Sequence, residues 1–209
     1  TNPDVLFAGA VNGGLWRTFN ATATAPNWTR LTDSLGSLSI GSIEFDPTDP
    51  QFQTLLAGNA RSSSLGRDGG ALLGLLRSTD NGASWSVLSA LANREILGVA
   101  ARGDILVAAT DGGVYRSTNT GNTFSPLSGD ASSGLPVGVT MDLAGHSSAP
   151  TVLYVAVTCQ PAPAWTSPDM RARPPCSTWR SPAAAGAAFF AVRTAVKPGH
   201  AFPTPRWTH

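Results

Sequence analysis

Arg61, Arg67 and Asp68 fall within one short run, "NARSSSLGRDGG", from Asn59 to Gly70. Two guanidiniums this close can clamp one carboxylate through paired N–H donors, a geometry lysine does not offer. Asp68 can accept from sugar hydroxyls or orient an arginine. A second concentration of reactive types is "LLRSTDNGASW", Leu75 to Trp85, which holds a hydroxyl, a carboxylate, a glycine and an indole at Ser78, Asp80, Gly82 and Trp85. These residues explain themselves without a substrate. Asp80 can accept hydrogen bonds from backbone N–H groups further along and so close a turn from within. Gly82 can take positive φ, and Trp85 supplies apolar surface for packing.

The elements that must carry these residues come from a repeat. "GGLWRT" (Gly13–Thr18), "GLLRST" (Gly74–Thr79) and "GGVYRST" (Gly112–Thr118) are one motif. Each is followed by turn residues and an aromatic, Trp28, Trp85 or Phe124, and then by "TRLTD", "SVLSA" or "SPLSG". Each is preceded by a short apolar run, "VLFAGA", "TLLAGN" or "ILVAAT". Before two of these lies another run, "IGSIEFD" or "ILGVAAR". The unit is four short strands, A to D. Four-strand units recurring at such intervals signal a β-propeller.

Ser78 to Trp85 matches S-x-D-x-G-x-x-W, and the chain resembles the Asp-box (BNR-repeat) propellers on that motif. The family includes sialidases, sortilin-type receptors and xyloglucan-active glycosidases. Ser117, Asn119, Gly121 and Phe124 resemble the same box with Asn for Asp and Phe for Trp, and Thr18 to Trp28 is a longer, degenerate form. The resemblance covers residues 4–157. It implies that the box joins strands C and D as scaffold, on the face away from any site. The A–B and C–D loops then share that face, and the B–C and D–A loops share the other. The 59–70 run is the longest B–C loop, and Asp111 lies in the matching loop of the next unit. Arg61, Arg67, Asp68 and Asp111 are therefore the expected ligand-binding residues.

Other candidates read more simply as structure. "RGD" at Arg102–Asp104 lies between two apolar runs and makes a tight hairpin turn rather than an adhesion site. Asp46-Pro47-Thr48-Asp49-Pro50 initiates turns in an A–B connection, and calcium is the weaker reading. Asn20-Ala21-Thr22 and Asn27-Trp28-Thr29 are glycosylation sequons that matter only in a eukaryotic secretory setting. A sialidase resemblance would imply an Arg triad, a Tyr–Glu pair and an acidic acid catalyst. Tyr115 and Tyr154 lie inside strand motifs, Glu44 and Glu95 are the only glutamates, and Arg17, Arg77 and Arg116 repeat at one position, which argues for structure. No two carboxylates are marked as a glycosidase pair. No zinc spacing, phosphate loop or nucleophile elbow is present. No catalytic residue, metal or cofactor is expected.

Composition sets wider limits. Charged residues are 13% of 209, and the formal net charge is +1. That gives no basic footprint for nucleic acid, and no apolar run has the length of a membrane span. The chain opens at "TNPDVLFAG", which reads as a strand rather than a signal peptide and implies a start within a longer protein. From Thr158 the alternation stops and Pro, Ala and Arg take over. Reading Trp165 to Ser181 from the third base of each codon permits every residue of Asp142–Val157 except Ser147. The same frame across Ala188 to Gly199 permits V-F-R-S-T-D-G-G-[EKQ]-[TA]-W, a strand C and a complete box. Residues 158–209 are therefore expected to be an out-of-frame read, poorly ordered. Neither Cys159 nor Cys176 supports a redox conclusion.

The expectation is an all-β, partial, unclosed β-propeller of four-stranded antiparallel blades over residues 1–157, with a non-native tail over 158–209. Its parts are a C–D half blade (Gly13–Thr32), whole blades at about 38–90 and 95–128, and an A–B half blade (135–157). The expected role is non-catalytic binding of a glycan or protein ligand within a larger extracellular or envelope protein. The alternative is a piece of a sialidase- or xyloglucanase-like glycosidase whose catalytic blades lie elsewhere.

Overall fold

The computed structural model describes residues 2–61, 69–146, 149–159 and 188–193. Strand-forming runs of Leu, Ile, Val and Ala punctuated by Gly, Asn and Asp turns give fourteen strands among them. The only helical element described is a single 3-10 turn at Ser89–Leu91. The first sheet holds β1 (Leu6–Ala10), β2 (Gly14–Thr18) and β3 (Thr29–Arg30). The second holds β4 (Ile40–Phe45), β5 (Leu55–Asn59), β6 (Leu75–Ser78) and β7 (Ser86–Leu88). The third holds β8 (Ile96–Arg102), β9 (Ile105–Thr110), β10 (Gly113–Ser117) and β11 (Ser125–Pro126). The fourth holds β12 (Gly138–Gly145), β13 (Val152–Cys159) and β14 (Ala188–Arg193).

Every pairing is antiparallel and joins consecutive strands. The sheets are the blades of a β-propeller, and the two whole blades stand where the repeat placed them. The first blade is fuller than a C–D half, because the "VLFAGA" run forms β1 and pairs with β2 from Leu6↔Thr18 to Ala10↔Gly14. At the other end β13 runs past Val157 to Cys159, and β14 pairs along it from Val152↔Arg193 to Val157↔Ala188. The rest of 158–209 lies outside the described residues.

The core lies between blades. Leu15 meets Ile40, Ala57 and Leu76 across the first joint. Leu56 and Leu75 meet Ile96, Val99, Leu106 and Ala108 across the second. Ala100, Val107, Ala109 and Val114 meet Leu143, Leu153, Val155 and Val157 across the third. Each fully buried Leu or Val contributes roughly 1.5–3 kcal/mol relative to exposure. The inner strand of each of the last three blades carries one irregularity at the same place, between Ile40 and Ser42, Ile96 and Gly98, and Thr140 and Asp142. Such bulges pin register and bend the strand.

Candidate functional site

The C–D turns are closed from within. Ser78 Oγ donates to Asp80 Oδ1 at 2.8 Å and accepts from Gly82 N–H at 2.8 Å. Asp80 accepts from Ser84 N–H at 2.9 Å and from Ser84 Oγ at 2.6 Å. The Ser84 hydroxyl and N–H, then Ser78, hold the Asp80 carboxyl down at about 2. Trp85 Nε1 donates to the Gly82 carbonyl at 3.1 Å. The third blade repeats the plan: Ser117 Oγ donates to Asn119 Oδ1 at 2.9 Å, and Gly121 N–H and Thr123 N–H return to Ser117 Oγ and Asn119 Oδ1 at 2.8 and 3.0 Å. Phe124 packs against the core at the second joint, and Trp85 at the first. In the first blade Thr18 Oγ1 donates to Asn20 Oδ1 at 2.9 Å, and Asn27 N–H, seven residues on, closes the longer loop at 2.8 Å. The Asn20 sequon is thus used by its own turn.

These turns touch the A–B connections. Asn81 N–H donates to the Gln53 carbonyl at 2.8 Å, and Thr120 N–H to the Asp104 carbonyl at 2.9 Å. At the opposite end the B–C loops meet the D–A loops. Gly70 N–H donates to Ser39 Oγ at 2.6 Å, Ser39 Oγ donates to Asn12 Oδ1 at 3.0 Å, and Asp111 N–H donates to the Glu95 carbonyl at 3.1 Å.

Arg61 and Asp111 therefore stand at the end of the blades away from these C–D turns. Arg61 is half-buried, with Nε donating to the Gly70 carbonyl at 3.1 Å, while Asp111 is exposed. Arg67 and Asp68 lie outside the described residues. The same end also holds residues that sequence reasoning missed. Asn59 is fully buried, donates from Nδ2 to the Ser39 carbonyl at 2.7 Å, and its Oδ1 finds no partner among the described residues. The Arg94 guanidinium lies 4.9 Å from the centre of the Tyr115 ring, an attractive arrangement. Glu95 is buried beside them. The signal for these was positional: they close the D–A or open the B–C loop, which carries no motif.

A cavity of about 410 Å³ runs along the inner strands, lined by Gly41, Ser42, Glu44, Gly98, Asp142 and Gly145 among others. Two carboxylates reach its wall. Glu44 meets the Arg102 guanidinium at 3.2 Å and accepts from Ala101 N–H at 3.2 Å. Burial pushes the Glu44 carboxyl up, against the pull of Arg102. Asp142 Oδ1 accepts from the next residue's N–H at 2.8 Å. Arg102, the first residue of "RGD", is 7% exposed and also donates to the Pro150 carbonyl at 2.5 Å, so it is structural. Asp46 accepts from Thr48 and from Gly103 N–H at 2.7 Å, and Asp49 accepts from Gln51, Gln53 and Thr54. Both carboxylates serve as turn acceptors, as the Asp-Pro reading expected. Among the described residues no group of three His, Cys, Asp or Glu side chains could hold a metal, and no helix is long and apolar enough to cross a membrane.

No protein-family model matches the chain, and no curated protein matches it. Solved structures match its fold. A GH74 enzyme from Niastella koreensis superposes with a TM-score of 0.54 at 16% identity, over 77% of this chain and 26% of that one. An ancestral GH74 enzyme gives 0.50 at 13% identity, over 74% and 20%. The extracellular domain of a hybrid two component system from B. thetaiotaomicron gives 0.50 at 15%, over 75% and 19%. The chain thus spans a fifth to a quarter of the proteins it resembles, and the likeness establishes the β-propeller fold.

Proposed function

We propose that the chain is a stretch of a non-catalytic, ligand-binding propeller of the Asp-box type, from a larger extracellular or envelope protein. The observation that carries this reading is the internal closure of the turns at Ser78–Trp85 and Ser117–Phe124, whose hydroxyl and carboxyl or carboxamide oxygens are used by their own backbone. Their chemistry is spent on scaffold, and the loops at the other end are left for a ligand. There Arg61 and Arg67 clamp a carboxylate, with Asp68 and Asp111 accepting hydroxyl or amide donors from an acidic glycan or a protein segment. The extracellular setting is supported by the family resemblance. The test is Arg61→Ala with Arg67→Ala, screened against acidic glycans, neutral glycans and acidic peptides. Selective loss of the acidic ligands is expected, and unchanged binding of a ligand held by the parent would overturn the assignment.

A second reading, a portion of a glycosidase, draws on Glu44, whose carboxyl burial raises on the wall of the same cavity that Asp142 lines. Its engagement with Arg102 makes it the weaker one. Hydrolysis of a polysaccharide by the larger protein, lost in a Glu44→Gln variant that circular dichroism shows to be folded, would favour it.

The out-of-frame reading of 158–209 gains support from strand register. Arg77 and Ser78 pair with Leu56 and Leu55, and Arg116 and Ser117 with Val107 and Leu106. The corresponding residues of β13 are Tyr154 and Leu153, judged from their shared pairing with the inner strand. Opposite them stand Ala191 and Val192, the codons that supply most of the Arg and Ser of the alternative frame. Resequencing the gene across codons 155–170 tests it, and an unaltered frame in independent copies would remove it.

A further inference from the structure

We infer that Arg94, with Asp111 beside it, forms a subsite for a terminal uronic acid residue at the joint between the second and third blades. The inference rests on the reading that the B–C and D–A loops bind a ligand, and it narrows that ligand to a sugar acid. Every residue it uses lies in one of these two four-stranded blades or in the loops at their joint.

Arg94 is held from several sides. Its D–A loop is pinned to the B–C loops on either side, because Asn93 N–H donates to the Leu72 carbonyl at 2.9 Å and Asp111 N–H to the Glu95 carbonyl at 3.1 Å. Asn93 stands at φ +65° at the bend, a conformation that asparagine tolerates better than most residues. The guanidinium lies 4.9 Å from the centre of the half-buried Tyr115 ring and against Gly112, where a Cβ would collide with Arg94 Nη1. Gly112 is itself fixed by the fully buried Thr110, whose hydroxyl accepts from Gly112 N–H at 3.1 Å and donates to the Gly113 carbonyl at 2.8 Å. Arg17, Arg61 and Arg102 all donate to main-chain carbonyls. Arg94 does not: among the described residues no carboxylate or carbonyl receives its N–H donors, and the exposed Asp111 carboxylate is not paired either. A cation positioned by packing before its partner arrives loses less freedom on binding.

The ring under the guanidinium leaves its edge free, and that edge pairs with a planar carboxylate through two parallel N–H···O bonds. Asp111 sets a second requirement. It is an acceptor without donors, so it repels an incoming carboxylate unless the ligand brings a donor alongside. A terminal uronic acid has that pair, because its carboxylate lies beside a ring hydroxyl. An acidic peptide side chain has no hydroxyl next to its carboxylate, and a run of them crowds negative charge against Asp111.

The experiment is calorimetric titration of the 209-residue chain with a galacturonate oligosaccharide, its methyl ester and an oligo-aspartate peptide. Binding of the acid alone is expected. Arg94→Lys keeps the charge and loses the fork, and should weaken binding about tenfold or more. Gly112→Ala should weaken it comparably, since the flexible end of Arg94 gives way and circular dichroism stays unchanged. Asp111→Asn is expected to admit the peptide, and a peptide still excluded would remove Asp111 from the subsite. A chain that does not bind the oligosaccharide, equal binding of the ester, preference for the peptide, or unchanged affinity in Arg94→Lys and Gly112→Ala would each overturn the subsite. If only Arg61→Ala with Arg67→Ala abolishes binding, the reading of this end stands and the Arg94 subsite falls. If neither set of variants alters binding, both fall.

Discussion

Arg17 Nη1 donates to the main-chain carbonyl of Asn81 at 2.5 Å, across 64 residues and from one blade to the next. Asn81 sits at φ +56°, followed by Gly82 at +81°. The arginine is part-buried, so the contact is a charge-assisted tie between a strand C and the neighbouring C–D turn.

Replacing Arg17 with Met should keep most of the stem packing and lose the tie. Hydrogen bonds to charged groups contribute about 1.5–3 kcal/mol, and a urea midpoint should fall by a corresponding amount. Arg30→Ala is the control. Its ion pair with Asp33 at 3.2 Å is exposed on both sides, and exposed pairs are worth about 0–1 kcal/mol.

Gly82→Ala is expected to destabilise by about 1–3 kcal/mol, since it adds backbone strain to crowding. A Cβ there would lie 2.9 Å from the Phe7 ring and 3.1 Å from Leu31 of the preceding blade. Gly134→Ala separates the two causes. Gly134 has φ +68° but open space around a Cβ, so only the backbone cost, about 1 kcal/mol, should appear in its denaturation curve.

Asp80 gives the protein an acid limb. Its folded carboxyl is held at about 2, below an ordinary value of 3.8. A depressed acid stabilises the fold above its unfolded pKa, and that contribution is lost as pH falls from about 4 towards 2. Asp80→Asn should fold normally at neutral pH, because Asn119 already closes the equivalent turn. Its thermal midpoint should fall less steeply than the parent's between pH 4 and 2.

Glu44→Ala should be costly, about 3–5 kcal/mol, because it leaves the nearly fully buried Arg102 guanidinium without its carboxylate. Glu44→Leu combined with Arg102→Met should recover most of that loss, since an apolar pair of similar volume removes both charges. A double-mutant cycle by urea denaturation reads the difference.

The parts of this molecule that were legible in the sequence are those whose partners lie within a few residues. Ser78, Asp80 and Gly82 complete their bonds inside one turn, so residue type and spacing were enough. The inner strands were legible through repetition. What stayed hidden was contact across blades. Nothing near Arg102 says that its partner is Glu44, 58 residues earlier, and "RGD" drew attention to the hairpin rather than to the buried guanidinium. The C–D turn of the first blade was blurred for a related reason, because Asn20 reaches Asn27 over a longer loop. Asn59, Arg94 and Glu95 carry no motif, and only folding brings them to the end of the blades that holds Arg61.

Because every strand pairs with its neighbour in the chain, each hairpin can close as soon as its second half leaves the ribosome. The ties between sheets keep a later schedule. At roughly 5–20 residues per second, the acceptor at Asn81 emerges some seconds after Arg17, and Arg102 comparably late after Glu44. Until then a newly made blade is hydrogen-bonded internally but not anchored to anything. It is held in place by the birth of its successor, and a nascent chain stalled between two blades would leave the last one loose.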